Sequence, residues 1–300
     1  MYVTIQTEGQ SPRDFYQYLI GCVGPRPIAF VSTLDKEGSS NLAPYSFFNA
    51  FSSNPPIVVF SSSLRVKDAT EKDTLHNIRH QGEAVINMVN YAIVHQMAIA
   101  GIEYPSGIDE FKKSGLTPLA SQWVKPFRVA ESPASLECRL EQIVSLGEGG
   151  GAGHLIVCRV VAIHIRADII DEHHRIDPHK MDLMGRLGRS YYVRASGAAV
   201  HTIVQPITHP AIGFDAIPEE YRHSAVLTGQ DLAALAGLEV LPDFTAISES
   251  EGQDETWNTL TRGEASEERH RYLQHLIRTG NVGRAWRLIL TNPQKDRISS

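Results

Sequence analysis

Apolar positions in the first two hundred residues fall mostly in short runs, several of them separated by turn residues. "SPRDFYQYLIGCVGP" predicts a helix, with Ser11 as cap, Pro12 in the first turn and Gly21 or Gly24 near the end. In "PIAFVSTLDKEGSSNLAPYSF" two β-prone runs flank a turn at "DKEG" and predict a hairpin. "PIVVF", entered through Pro55-Pro56, predicts the next strand. "KDTLHNIRHQG" switches to helical spacing: Leu75, Ile78 and Arg79 lie three and four apart, Asp73 or Thr74 caps and Gly82 stops. "EAVINMV" returns to strand, and residues 91–116 hold two predicted helices closed by glycine. "ESPASLECRLEQIVSLG" and "GHLIVCRVVAIHIRAD" flank the glycine-rich "GEGGGAG" and predict a pair of long antiparallel strands. The second carries apolar residues on both faces, which predicts burial on both.

Many β-runs with few intervening helices point to a mainly β, antiparallel barrel or sandwich over residues 1–205. From 206 to 300 the pattern is helical, in "LTGQDLAALAG" and "SEERHRYLQHLIRTGNVGRAWRLILTNP", with the polar "SESEGQDET" between them. Leu273, Leu276, Ile277 and Trp286 form an apolar face. An extension of so few helices is expected to cover that face against the barrel or a partner subunit.

A formal charge of −6 with no basic block argues against nucleic acid as a partner. Three scattered cysteines, Cys22, Cys138 and Cys158, make no disulfide framework and suit a reducing cytoplasm. The start "MYVTIQTEGQ" has no signal-peptide pattern, and "HLIVCRVVAIHI" is too short and too interrupted for a membrane span.

The glycine-rich stretch is followed by a strand rather than a helix, so it lacks the context of a dinucleotide-binding loop and reads as a hairpin connection. G-x-x-x-x-G-K-[ST], G-x-S-x-G and H-E-x-x-H do not occur. The histidines of "DEHHRIDPHK" read as a solvated loop rather than a metal site. More informative is "NLAPYSFFNAFSSNPPIVVF", which crowds flat rings among small hydrogen-bonding residues. Just beyond lie Ser61, Ser62, Ser63, Arg65 and Lys67, and then Lys72, Asp73 and Thr74 open a helix. Hydroxyls, cations and helix N–H groups make an anion site, though a plain helix cap uses the same residues. A ring surface beside a phosphate clamp suits a ligand such as FMN.

The blocks "GPRPIAFVSTLDKEGSSNLAPYSFFNAFSSNPPIVVFSSS", "KDTLHNIRHQGEAVINMV", "GHLIVCRVVAIHI" and "GRLGRSYYVR" together resemble the flavin reductase-like, flavoredoxin-type family over roughly residues 24–194. The resemblance implies an FMN-binding split β-barrel, a homodimer, and NADH or NADPH as electron donor to a flavin that serves an acceptor or partner monooxygenase. It implies that Tyr45, Ser46, Phe47, Phe48 and Asn49 line the flavin, that Ser61, Ser62, Ser63, Lys72 and Thr74 approach ribityl and phosphate, and that His154 reaches the flavin as the catalytic side chain. Arg26, Arg186 and Tyr191 carry over more weakly, with a structural salt bridge or packed ring as the plainer reading. Phe30 stands where Trp is common and Cys158-Arg159 where Gly-Glu is common. The competing function is a carrier or sensor that binds FMN without turnover, its helical tail addressing a partner; a third is a barrel without flavin that serves as an assembly module.

Overall fold

In the computed structural model of the chain, residues 1–203, 209–242, 255–262 and 266–291 are described. Two compact units divide at His201 and Thr202. The boundary expected at residue 205, and most of "SESEGQDET", lie outside the described residues.

Seven strands of the first unit form one antiparallel sheet in the order β2-β1-β5-β8-β9-β4-β3. They are β1 Ala29–Leu34, β2 Ser40–Tyr45, β3 Phe48–Ser53, β4 Pro56–Ser63, β5 Glu83–Met88, β8 Ala134–Ser145 and β9 Gly153–Ile165. Two short hairpins, β6 Pro118–Leu119 with β7 Arg128–Val129 and β10 Leu183–Arg186 with β11 Tyr192–Ala195, complete the strands. The two edge strands, β2 and β3, are joined by Ser46 and Phe47 alone. Three Cα steps reach at most about 11 Å, so the sheet must curl until its edges meet. The result is a split barrel with its seam at Ser46-Phe47.

Strand alternation sorts side chains into and out of the barrel. Ala29 and Val31 face inward with Phe60, Ile86, Ile156 and Cys158, while Ile28, Phe30 and Leu42 pack with Val94, Met97 and Phe111. Those last three belong to helices α3 Val94–Ala100 and α4 Glu110–Ser114. Helix α1 is Pro12–Cys22, capped by Ser11 as expected; α2 is Asp73–Gln81, stopped by Gly82 at φ 70, and contributes Leu75 and Ile78 to the inner core. Gly150 of the β8–β9 connection is there for a steric reason, since a Cβ at that position would meet the Val66 carbonyl oxygen at 2.5 Å.

Three expectations are corrected. Strand β3 was not anticipated: it is an edge whose side chains, Phe51 among them, are mostly exposed, so it lacks the alternation that marks a half-buried strand. The outer face of β9 is half-open, with Ile163 58% exposed, rather than buried as its apolar residues predict. Leu273, Leu276, Ile277 and Trp286 are buried together with Tyr221, Leu235 and Ala285, so the second unit covers its apolar face by itself. Its main helices are Gly229–Ala236, Glu255–Arg262, Glu267–Arg278 and Val282–Leu290. No helix among the described residues is long and apolar enough to cross a membrane.

Candidate functional site

The seam concentrates the residues expected to hold a cofactor. At the end of β2, Tyr45 turns inward with its ring centroid 5.3 Å from that of Phe60. Ser62 on β4 stands directly across from His154 on β9. Directly opposed residues of an antiparallel pair share a face, so both point into the barrel, where Ser62 is fully buried and His154 nearly so. Tyr45 Oη lies beside the hydroxyls of Thr74 and Ser62. Tyr45 Oη, Ser62 Oγ and His154 Nδ1 are nonetheless buried atoms with no hydrogen bond of good geometry. Such orphans are rare in folded proteins and mark places where a further polar group belongs. Burial pushes the Tyr45 phenol pKa up, against the neighbouring hydroxyls.

The same alternation separates the serines. Ser61 and Ser63 lie on the opposite face from Ser62, so the serine run does not act as a single cradle. The Ser61 backbone N–H donates to the Phe47 carbonyl at 2.8 Å and fastens the seam connection to β4. Ser46 is half-buried and Phe48 packs against the inner core. Phe47 is 36% exposed, meets Tyr16 edge-on at 6.2 Å and lies 5.8 Å from the Arg26 guanidinium. Asn49 is exposed, and its side chain accepts from the Ala50 N–H. Arg26 is a clamp for the end of α1: its guanidinium donates to the carbonyls of Ile20, Val23 and Leu187.

Outside the seam a cavity of about 230 Å³ opens between β2, the start of α2 and the chain after α3, walled by Pro44, Tyr45, Lys72, Thr74, Gly101 and Glu110. Helix α2 begins without a side-chain cap, which leaves its first N–H groups free for an anion. The Lys72 ammonium lies 6.0 Å from the Tyr45 ring and makes no ion pair among the described residues. Desolvation by the wall lowers its pKa. Arg65, expected beside it as a phosphate ligand, is already neutralised: it pairs with Glu103 at 2.7 Å and Asp73 at 3.4 Å and donates to the Glu71 carbonyl. Thr74 is fully buried, and its hydroxyl accepts from Asn41, which also donates to Thr33. A second cavity of about 330 Å³ adjoins at Asn41 and Asp73 and is lined by Asp35, His76 and His80 rather than by the expected residues.

Glu110 was not anticipated from sequence. It is buried in the cavity wall, and its Oε2 accepts from the Leu42 N–H at 3.0 Å. Burial raises its pKa, and the charges of Asp73 and Asp109 add to the shift against that hydrogen bond. A carboxyl whose folded pKa is raised loses stabilising effect as pH climbs from its ordinary value through the raised one. Glu110→Gln keeps an acceptor for Leu42 and removes the buried charge. The variant is expected to equal or exceed the wild-type stability at neutral pH, with the difference closing near about pH 4; urea titrations across this range check it.

His173 and His179 are exposed, and no cluster of three metal-ligating side chains occurs among the described residues.

Comparison with known proteins places this geometry. Residues 22–180 match the family model described as the flavin reductase like domain. An uncharacterized protein of Aquifex aeolicus is 39% identical over 196 residues, which are 65% of this chain and 96% of that one. The structure of nitrilotriacetate monooxygenase component B from Bacillus cereus superposes with a TM-score of 0.62 at 30% identity, covering 66% of this chain and 97% of that one. The 2-nitrobenzoate 2-nitroreductase NbaA of Pseudomonas fluorescens gives 0.61 at 31%, covering 70% and 100%.

Proposed function

Because the chain belongs to the flavin reductase like domain family, we propose that it is an FMN-binding reductase that takes hydride from NADH or NADPH. The observation that carries this reading is the convergence of three orphaned buried polar atoms, Tyr45 Oη, Ser62 Oγ and His154 Nδ1, on a seam whose Tyr45 also lines a cavity bordered by the Lys72 ammonium and an uncapped helix start. These residues fit the group. Lys72, Thr74 and the first N–H groups of α2 would hold the phosphate, while Tyr45, Ser46 and Phe47 would bound the ring. Bound FMN would supply the hydride acceptor. The chain's own part is to position and to exclude water: the seam would fix the ring plane, and His154 Nδ1 offers a hydrogen-bonding position opposite Ser62. A homodimer in the cytoplasm, serving a monooxygenase or other acceptor, completes the proposal; the exposed Ile163 on β9 supports the dimer.

Anaerobic mixing of the FMN-loaded protein with NADH and with NADPH tests it. Rapid loss of the flavin's visible band with at least one donor is expected. Lys72→Ala is expected to weaken FMN roughly tenfold by fluorescence quenching, as loss of one charge-assisted contact does. FMN that binds tightly but stays oxidised would leave the chain a carrier.

A further inference from the structure

The β10–β11 hairpin carries two arginines whose charges nothing in the described chain neutralises. Arg26 and Arg186 exchange backbone hydrogen bonds at 2.9 and 2.8 Å, and the Arg26 guanidinium donates to the Leu187 carbonyl at 3.0 Å. At the turn, Gly188 lies so close to Gly21 that a Cβ on it would be 3.3 Å from the Gly21 Cα, so the hairpin tip is seated on the end of α1. Arg186 lies with its guanidinium 4.5 Å from the Tyr192 ring centroid and donates to the Arg189 carbonyl at 2.7 Å. Arg189 is exposed at the tip with φ 53, an uncommon conformation for a residue with a side chain. Among the described residues, no carboxylate pairs with Arg26, Arg186 or Arg189, although the chain as a whole is acidic. The Arg26 pKa is lowered, chiefly by desolvation and further by the nearby charge of Arg186, with Tyr16 opposing.

Like charges gathered without counter-charges form a site for an anion, and this one adjoins flat rings. Arg26 touches both the hairpin and Phe47, and Tyr16 meets Phe47 edge-on. We propose that the hairpin tip binds the phosphates of the pyridine dinucleotide, with Arg186 and Arg189 as anion ligands and Tyr16, on the far side of the flavin-facing Phe47, as a surface for its rings. Arg26 is a positioning residue, since its donors are committed to carbonyls. The proposal rests on the reductase reading for the identity of the nucleotide. The same chemistry could be met by a pyrophosphate or by a 2′-phosphate, and two probes separate them.

The full chain and its R186A/R189A variant are titrated calorimetrically with ADP and with adenosine 2′,5′-bisphosphate, and FMN affinity and oligomeric state are measured alongside. Affinity for at least one probe is expected to fall roughly tenfold or more, with FMN affinity and oligomeric state unchanged; the probe that loses more identifies the phosphate. Arg189→Glu, at an exposed position, gives the same readout should loss of the Arg186–Tyr192 stack impair folding. The proposal is overturned if neither probe binds the wild type, if both bind the variants equally well, if FMN affinity falls instead, or if the variants change oligomeric state. Arginine-dependent probe binding without flavin reduction by either nucleotide would sink the reductase reading and leave this site standing.

Discussion

Replacing Glu137 with glutamine is expected to lower the stability of the barrel unit by about 3–5 kcal/mol, the range for breaking one side of a buried charged network. Glu137 is fully buried on β8, yet its carboxylate accepts from the backbone N–H groups of Gln122, Trp123 and Val124 at 2.8, 2.6 and 3.0 Å. It also meets His164 Nε2 at 2.7 Å. Burial alone would raise its pKa, but these four partners outweigh it and the pKa is lowered. Glutamine offers one acceptor oxygen and turns an NH₂ toward donors, so at least one N–H is left without a partner. Against a typical domain stability of about 5–15 kcal/mol, the loss is large and readable by urea denaturation. The pH dependence follows from the direction of the shift. A carboxylate with a lowered folded pKa contributes its full stabilisation above the ordinary glutamate value and loses it as pH falls through the depressed one. The gap between wild type and variant is therefore widest near neutrality and narrows below about pH 4. A constant gap would mean that the charge is not what holds the loop.

Glu137 also shows where reading the chain alone stops. The strands at 29–34, 40–45, 83–88, 134–145 and 153–165 were legible because each is a run of β-prone residues bounded by turn chemistry. Helix α2 was legible from its 3.6-residue spacing and from Gly82. Strand β3 was not, since an exposed edge can be polar at every position. The site was legible at the level of segment: rings and serines before β4, a cation at the start of α2. It was not legible at the level of face. Whether Ser62 or its neighbours enter the barrel depends on register, and register is fixed by pairing with β9, about ninety residues later. Glu110 and Glu137 were invisible for a related reason. Their partners are backbone N–H groups 68 and 13 to 15 residues away, and a backbone donor has no letter in the sequence. Of the arginine hairpin, Arg186 was legible only as a weak resemblance and Arg189 not at all, because the lack of counter-charges is a property of the fold.

Trp286→Ala carries the second large expectation: a loss of about 3–5 kcal/mol from the second unit, as for a fully buried aromatic truncated to a methyl. Trp286 is completely buried among Leu235, Leu273 and Ala285, and its indole N–H donates to the Leu235 carbonyl at 2.9 Å. Alanine leaves both a cavity and a buried carbonyl without its donor. The four helical segments share one apolar core, so the loss should unfold that unit as a whole rather than fray one helix. Calorimetry of the full-length variant is expected to show a transition moved to lower temperature, while FMN titration returns the wild-type affinity. The second expectation follows from the placement of every proposed flavin contact, from Tyr45 to His154, within Met1–His201. An equal loss of FMN affinity would show that the helical unit helps to build the flavin site, and the seam would then be only part of it.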